Sequence, residues 1–223
     1  MLVKICGVSR EEDAIKAIKH GADAIGFVMG GLVLPLEVEP HAQTVREIIK
    51  KFPKGVDSFL VTHLTNIKDI LALSDYIDST GIQISEDLPL SELKKIRGLT
   101  SKKIIKTVVV KDEPSSIKKL KQVEPYCDYI LLDTRHGGYT GGTGVTNDWN
   151  LCSKMVEIAK KPVYLAGGLT PENLSDALEQ VKPQGADVST GVGTYSKDYP
   201  RKDKKDEKKI KRFIEVAKNE SKI

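Results

Sequence analysis

The sequence predicts an α/β protein, a single-domain (β/α)8 TIM barrel spanning residues 1–223. Three observations carry this expectation. Short runs rich in β-branched and apolar residues alternate with helix-period stretches, and they do so eight times. The repeats average roughly 28 residues, within the range of a minimal barrel unit. No G-x-G-x-x-G follows the first strand, so the competing doubly wound open sheet lacks its signature. Strict alternation favours a parallel sheet over an antiparallel one. The absence of a Pro/Gly/Ser linker argues for one domain.

The first strand, Leu2–Cys6, is followed by a helix over Glu11–His20, with Ser9 as N-cap and Glu12 at the capping-box position. Ala24–Met29 is the second strand. Pro40 suits a first helical position ahead of a helix over His41–Lys51, which stops before Pro53. Val56–Thr62 and Gly81–Ser85 flank a helix over Ile67–Ser74. A helix over Leu90–Arg97 leads to the fifth strand, Ile104–Val110, and one over Ser115–Val123 leads to the sixth, Tyr129–Thr134. Helices over Trp149–Lys160, Pro171–Val181 and Glu207–Lys218 complete the series with strands at Val163–Gly167 and Ala186–Gly191. Thr170-Pro171-Glu172-Asn173 reads as a cap, a first-turn proline and an acidic first turn.

Composition removes several function classes. At 39% hydrophobic and 30% charged residues the chain has enough apolar content to fold, so a mostly disordered chain is not expected. No run approaches the ~20 apolar residues of a membrane span, and Met1-Leu2-Val3-Lys4 enters strand-like sequence directly. A cytoplasmic protein is therefore expected, without membrane partners. Three scattered cysteines, Cys6, Cys127 and Cys152, suggest neither a disulfide framework nor a zinc site, and the four histidines lack metal-ligand spacing. The formal net charge is +4, but Arg201–Arg212 alone carries +5, leaving the remainder at −1. Nucleic acid is thus not an expected partner. The basic run reads as the solvated start of the last helix.

In such a barrel the active site lies at the carboxyl ends of the strands. The first strand ends Lys4-Ile5-Cys6-Gly7, and period-two alternation puts Lys4 and Cys6 on one face. If that face points inward, Cys6 sits at the barrel mouth; otherwise it is a small buried hydrophobe. The sixth strand is apolar until Asp133, which can serve as a general acid or base or cap the next turn. The glycine-rich stretch Arg135–Gly144 is long enough to act as a lid or to be a plain connection. Gly167 and Gly168 end the seventh strand, and Ser189, Thr190 and Gly191 end the eighth. Exposed backbone N–H groups with hydroxyls at these two turns form a candidate phosphate pocket.

These motifs resemble the phosphoribosylanthranilate isomerase family. The resemblance runs through Lys4-Ile5-Cys6-Gly7-Val8, Gly21–Phe27 and Leu131-Leu132-Asp133-Thr134. It continues through Gly141-Gly142-Thr143-Gly144 with Asp148-Trp149, Leu165–Asn173 and Asp187–Val192, across nearly the whole chain. It implies a (β/α)8 barrel of tryptophan biosynthesis that performs an Amadori rearrangement on a phosphoribosyl substrate with no metal or organic cofactor. The family's base and acid map onto Cys6 and Asp133. A free thiol near pKa 8.5 is mostly protonated at neutral pH, so Cys6 needs a thiolate-favouring environment. Lys4 can contribute, although pairing with Asp187 across the first and eighth strands would divide that help. Lys4, Gln83, Arg135 and Asp187 are further candidates for substrate contact.

Departures from the pattern fall on the side that would face the anthranilate ring. Leu36 stands where the family has Arg, Ser85 where it has His, Val145 where it has Lys and Gly193 where it has Glu. Arg135 or His136 is a candidate replacement cation. Two other readings follow, an isomerase for a different phosphorylated aminoaldose and a non-catalytic phosphosugar binder; retention of Cys6 and Asp133 argues against the second. Either a monomer or a homodimer fits, and Leu32-Val33-Leu34 could serve a dimer contact or an apolar wall for the aglycone.

Overall fold

A computed structural model describes residues 1–30, 41–136, 139–140, 147–194 and 204–220. Eight parallel strands close into a barrel. They are β1 (Leu2–Ile5), β2 (Ala24–Met29), β3 (Asp57–Thr62), β4 (Gly81–Ile84), β5 (Lys103–Val109), β6 (Tyr129–Asp133), β7 (Val163–Leu165) and β8 (Gly185–Val188). Each pairs with its neighbours in sequence, and β8 returns to β1 with Lys4 opposite Asp187 and Ile5 opposite Val188. The helices are α1 (Glu11–Lys19), α2 (Ala42–Ile49), α3 (Ile67–Tyr76), α4 (Leu90–Leu99), α5 (Glu113–Val123), α6 (Trp149–Ile158), α7 (Leu174–Val181) and α8 (Glu207–Glu220), one after each strand. The expected (β/α)8 barrel is the fold the chain adopts.

Alternation along the strands divides the core in two. Residues such as Ile25, Leu60, Ile82, Ile104, Ile130 and Leu132 face the helices and form the larger cluster with their apolar stripes. Cys6, Ala24, Phe59, Val61, Ile105, Leu131, Tyr164 and Ala166 fill the barrel itself. Filling a small barrel requires large residues opposite small ones. Phe59 occupies the space over Gly81, where a Cβ would lie 2.3 Å from the ring.

Local details correct two expectations. Ser9 and Glu12 form no capping box. Arg10 holds the N-cap position without capping it, and its guanidinium grips Asp13 at 3.0 and 3.1 Å, which anchors the first turn by charge instead. Pro171 is not in the first turn of α7. The helix starts at Leu174, because Asn173 closes a turn of its own: its side-chain Oδ1 accepts the Thr170 N–H at 2.8 Å and its Nδ2 donates to Gly168 O at 3.0 Å. The Arg135–Gly144 stretch contains an antiparallel ladder between Arg135–His136 and Tyr139–Thr140, two residues per strand and too short for periodicity to announce. Pro40 lies outside the described residues. Among the described residues no helix is long and apolar enough to cross a membrane.

Candidate active site

The carboxyl ends of β1 and β8 bring three of the expected residues together. Lys4 Nζ donates to Asp187 Oδ1 at 2.7 Å, both side chains buried. Cys6, on the same inward face one pleat higher, is 6% exposed. Gly26 on β2 makes the room: a Cβ there would lie 3.0 Å from both Cys6 Sγ and Lys4 Nζ. The face that β1 turns inward is thus the one carrying Lys4 and Cys6.

Electrostatics set the state of these groups. Burial pushes the Cys6 thiol up, and the Asp187 charge adds to that; the Lys4 and Lys205 ammonium groups pull it back without cancelling it. Burial presses Lys4 downward, but Asp187 and the Cys6 sulfur hold it above the ordinary lysine value. Asp133, at the end of β6 and 8% exposed, is pushed up to about 7, chiefly by burial with help from Asp187. The Thr134 N–H, donating to Asp133 Oδ1 at 2.7 Å, and the more distant Lys4 oppose that rise. Near neutrality the site therefore holds a carboxyl able to give a proton and a thiol that must lose its own before it can take one.

The two glycine turns lie next to this cluster. Gly167 and Gly168 adopt φ of +83° and +66°, which the missing side chains permit. A Cβ at Gly167 would sit 3.2 Å from Asp133 Oδ1 and 2.9 Å from Asn147 Nδ2, so this turn abuts the carboxyl directly. Ser189 leads into a 3-10 turn, Thr190–Val192, whose first N–H groups have no partner within the turn. Gly191 is required for packing, since a Cβ there would collide with Leu169 O.

Gln83 is a sequence candidate, whereas Thr107, Asn147 and Lys205 carry no sequence signal for the site. Gln83 Oε1, Thr107 Oγ1 and Asn147 Oδ1 are buried acceptors without a hydrogen-bond partner among the described residues. Gln83 and Thr107 lie on the inward face of β4 and β5. Asn147 Nδ2 spans Ala166 O at 2.8 Å and Leu132 O at 3.4 Å, which fixes its amide beside Asp133. Lys205 corrects the reading of Arg201–Arg212 as a solvated face. It is 2% exposed, and its Nζ donates to Ser189 O at 3.0 Å. A long side chain reaches from the helix entry to the barrel mouth, and charge counting alone does not reveal that.

The rim formed by β2 and β3 is less polar. Val28, inward on β2 and half exposed, pairs in register with Val61 on β3. Ser85, where the resemblance leads one to expect His, is buried, while His63 Nδ1 and Glu86 Oε1 meet at 2.8 Å beyond the ends of β3 and β4. Leu32-Val33-Leu34, Leu36 and Gly141–Val145 lie outside the described residues, as do the side chains of Arg135 and His136. Gly193 forms a backbone bridge to Lys205. Among the described residues no three His, Cys, Asp or Glu side chains are placed to hold a metal ion.

The chain has relatives throughout its length. A family model described as N-(5'phosphoribosyl)anthranilate (PRA) isomerase matches residues 3–216. An N-(5'-phosphoribosyl)anthranilate isomerase of Methanosarcina acetivorans is 35% identical, over 96% of this chain and 91% of that protein. The crystal structure of phosphoribosyl anthranilate isomerase from Thermotoga maritima superposes with a TM-score of 0.82 at 32% identity, covering 98% of this chain and 99% of the other. A phosphoribosyl anthranilate isomerase in complex with reduced 1-(o-carboxyphenylamino)-1-deoxyribulose 5-phosphate gives 0.76 at 30% identity, covering 98% and 100%. The barrel, its Lys4–Asp187 pair and this similarity along both chains lead to one conclusion: the chain belongs to the N-(5'-phosphoribosyl)anthranilate isomerase family.

Proposed function

We propose that the chain converts N-(5′-phosphoribosyl)anthranilate to 1-(2-carboxyphenylamino)-1-deoxyribulose 5-phosphate in tryptophan biosynthesis, with Cys6 as general base and Asp133 as general acid. The observation that carries this reading is Asp133, a carboxyl pushed up to about 7 across the barrel mouth from the buried Cys6 thiol. Such a carboxyl is protonated often enough near neutrality to give a proton to the furanose ring oxygen. The C1′–O bond then breaks and leaves a Schiff base. Cys6, as thiolate, removes the C2′ proton to give an enolamine, and protonation at C1′ with loss of the C2′ hydroxyl proton yields the ketone. No atoms are gained or lost.

The turns at Gly167-Gly168 and Ser189–Gly191 are suited to the phosphate, since their N–H groups and hydroxyls are donors at one edge of the mouth. Val28 and Val61 offer an apolar surface to the aromatic ring on the other side. Lys4 and Asp187 act as a pair that fixes the thiol's surroundings, and Gln83 offers its orphaned carbonyl to a sugar hydroxyl. We place this activity in the cytoplasm. Cys6, Cys127 and Cys152 are all buried free thiols, as a reducing compartment keeps them.

A second reading, an isomerase for another phosphorylated aminoaldose, is favoured by the buried Ser85 where an imidazole is expected. Complementation separates the two. A tryptophan auxotroph lacking this isomerase should be rescued by the wild-type chain and not by Cys6→Ser or Asp133→Asn. Failure of the expressed, folded wild type to rescue would turn the assignment toward the second reading.

A further inference from the structure

Lys205 lies on the short segment before α8, and that segment is clamped in place from two sides. Thr194 N donates to Lys204 O at 2.7 Å and Asp206 N to Val192 O at 2.8 Å, so the segment pairs with the chain that leaves the Thr190–Val192 turn. The Lys205 N–H donates to Asp13 Oδ2 at 3.2 Å, and Asp13 is itself held by Arg10. From this fixed backbone the side chain runs inward. Its Nζ donates to Ser189 O at 3.0 Å and lies 3.5 Å from Ser189 Oγ. A Cβ at Gly7 would sit 2.7 Å from Ser189 Oγ and 3.5 Å from Lys205 Nζ, so the turn after Cys6, the serine and the ammonium share one small volume.

Burying an ammonium is costly, and it persists where the charge has work to do. Here the charge stands between the turn read as the phosphate cradle and the thiol read as the base. Lys4, the other cation near Cys6, is engaged by Asp187 at 2.7 Å, and the carboxylate offsets much of its pull on the sulfur. Lys205 donates to Ser189 O and stands near Ser189 Oγ, and its charge, like that of Lys4, favours the ionised form of the Cys6 thiol. The charged groups facing Cys6 are Lys4 from β1, Asp187 from β8 and Lys205. Asp13 and Arg10 from α1 stand on the far side of Lys205.

We propose that Lys205 is a positioning residue of the isomerase site: its buried ammonium fixes Ser189 in the anion cradle and supplies a positive charge that favours the Cys6 thiolate. The inference rests on the reading of this site given above. It assigns one residue of the basic segment to the barrel mouth and gives the cradle a charge that backbone N–H groups lack.

The test uses the purified full chain with Lys205→Met, Lys205→Gln and Lys205→Arg, and with Lys208→Ala as an exposed control. Two quantities are read, inorganic phosphate affinity by calorimetry and the pH midpoint of Cys6 alkylation by iodoacetamide, followed on the Cys6 peptide by mass spectrometry. Lys205→Met should weaken phosphate binding about tenfold and raise the alkylation midpoint by about one pH unit, the effect of losing one nearby charge. Lys205→Arg should recover most of the midpoint, and Lys208→Ala should match wild type. If Lys205→Met does not fold, Lys205→Gln, which keeps a donor but no charge, carries the same expectation. A folded neutral variant with wild-type phosphate affinity and midpoint would overturn the proposal. Neither readout needs turnover: a wild type without isomerase activity ends the functional reading alone, whereas unchanged neutral variants of an active enzyme end this inference alone.

Discussion

Burial raises the proton affinity of both Cys6 and Asp133, the thiol above its ordinary value and the carboxyl to about 7. On the roles proposed for them, the working form pairs a Cys6 thiolate with a protonated Asp133. Because the base has the higher pKa, that form is a minor one, and its population is flat between the two values. For the free enzyme, kcat/KM should therefore rise with pH up to about 7, hold a plateau and fall only beyond the thiol's raised value. The rising limb belongs to the pair and not to either residue. A profile that falls from pH 7 upward, as for a thiol ionising below the carboxyl, would contradict these environments. Gly26 belongs to the same account, since the space it leaves is what lets Sγ and Nζ approach.

Within the strands, packing inside the barrel depends on unequal partners. Gly81→Ala puts a methyl 2.3 Å from the Phe59 ring and 2.8 Å from Lys103 O, so β4 must shift or the ring must turn. A loss of about 2–4 kcal/mol is expected by denaturant unfolding, partly recovered in the double variant with Phe59→Leu; additive losses would refute the coupling. The same scale shows what was legible in the chain. Eight strands and eight helices follow from period and turn chemistry, because each strand buries an apolar run and each helix an apolar stripe. Capping was less legible: Ser9 and Thr170-Pro171 carry cap-like letters, but Arg10–Asp13 and the Asn173 turn use side-chain contacts that compete with them. Cys6, Asp133 and the glycine turns could be found because they end strands. Lys205, Asn147 and Thr107 could not, since their positions depend on chain segments distant in sequence meeting at the mouth.

Across the whole molecule, the proposed acid also has a stability consequence. Asp133 binds its proton more tightly folded, at about 7, than in an unfolded chain near 3.8, so its contribution to stability falls as pH rises between those values. Asp133→Asn should therefore match wild type in stability below pH 4 and exceed it increasingly up to pH 7. The gain should be on the order of 2–4 kcal/mol, read as a rising difference in unfolding free energy. No pH-dependent difference would mean that the carboxyl is not desolvated. Charge is likewise unevenly placed: of the net +5 between Arg201 and Arg212, Lys205 is buried at the site while Lys204, Lys208 and Lys209 stay exposed. The most direct measurement of the central claim is turnover of N-(5′-phosphoribosyl)anthranilate by the purified chain, with Cys6→Ser and Asp133→Asn alongside. The account predicts conversion by wild type and a loss of about a hundredfold or more in kcat for each variant, with inorganic phosphate affinity retained. A folded Cys6→Ser or Asp133→Asn that turns over within about tenfold of wild type would contradict it.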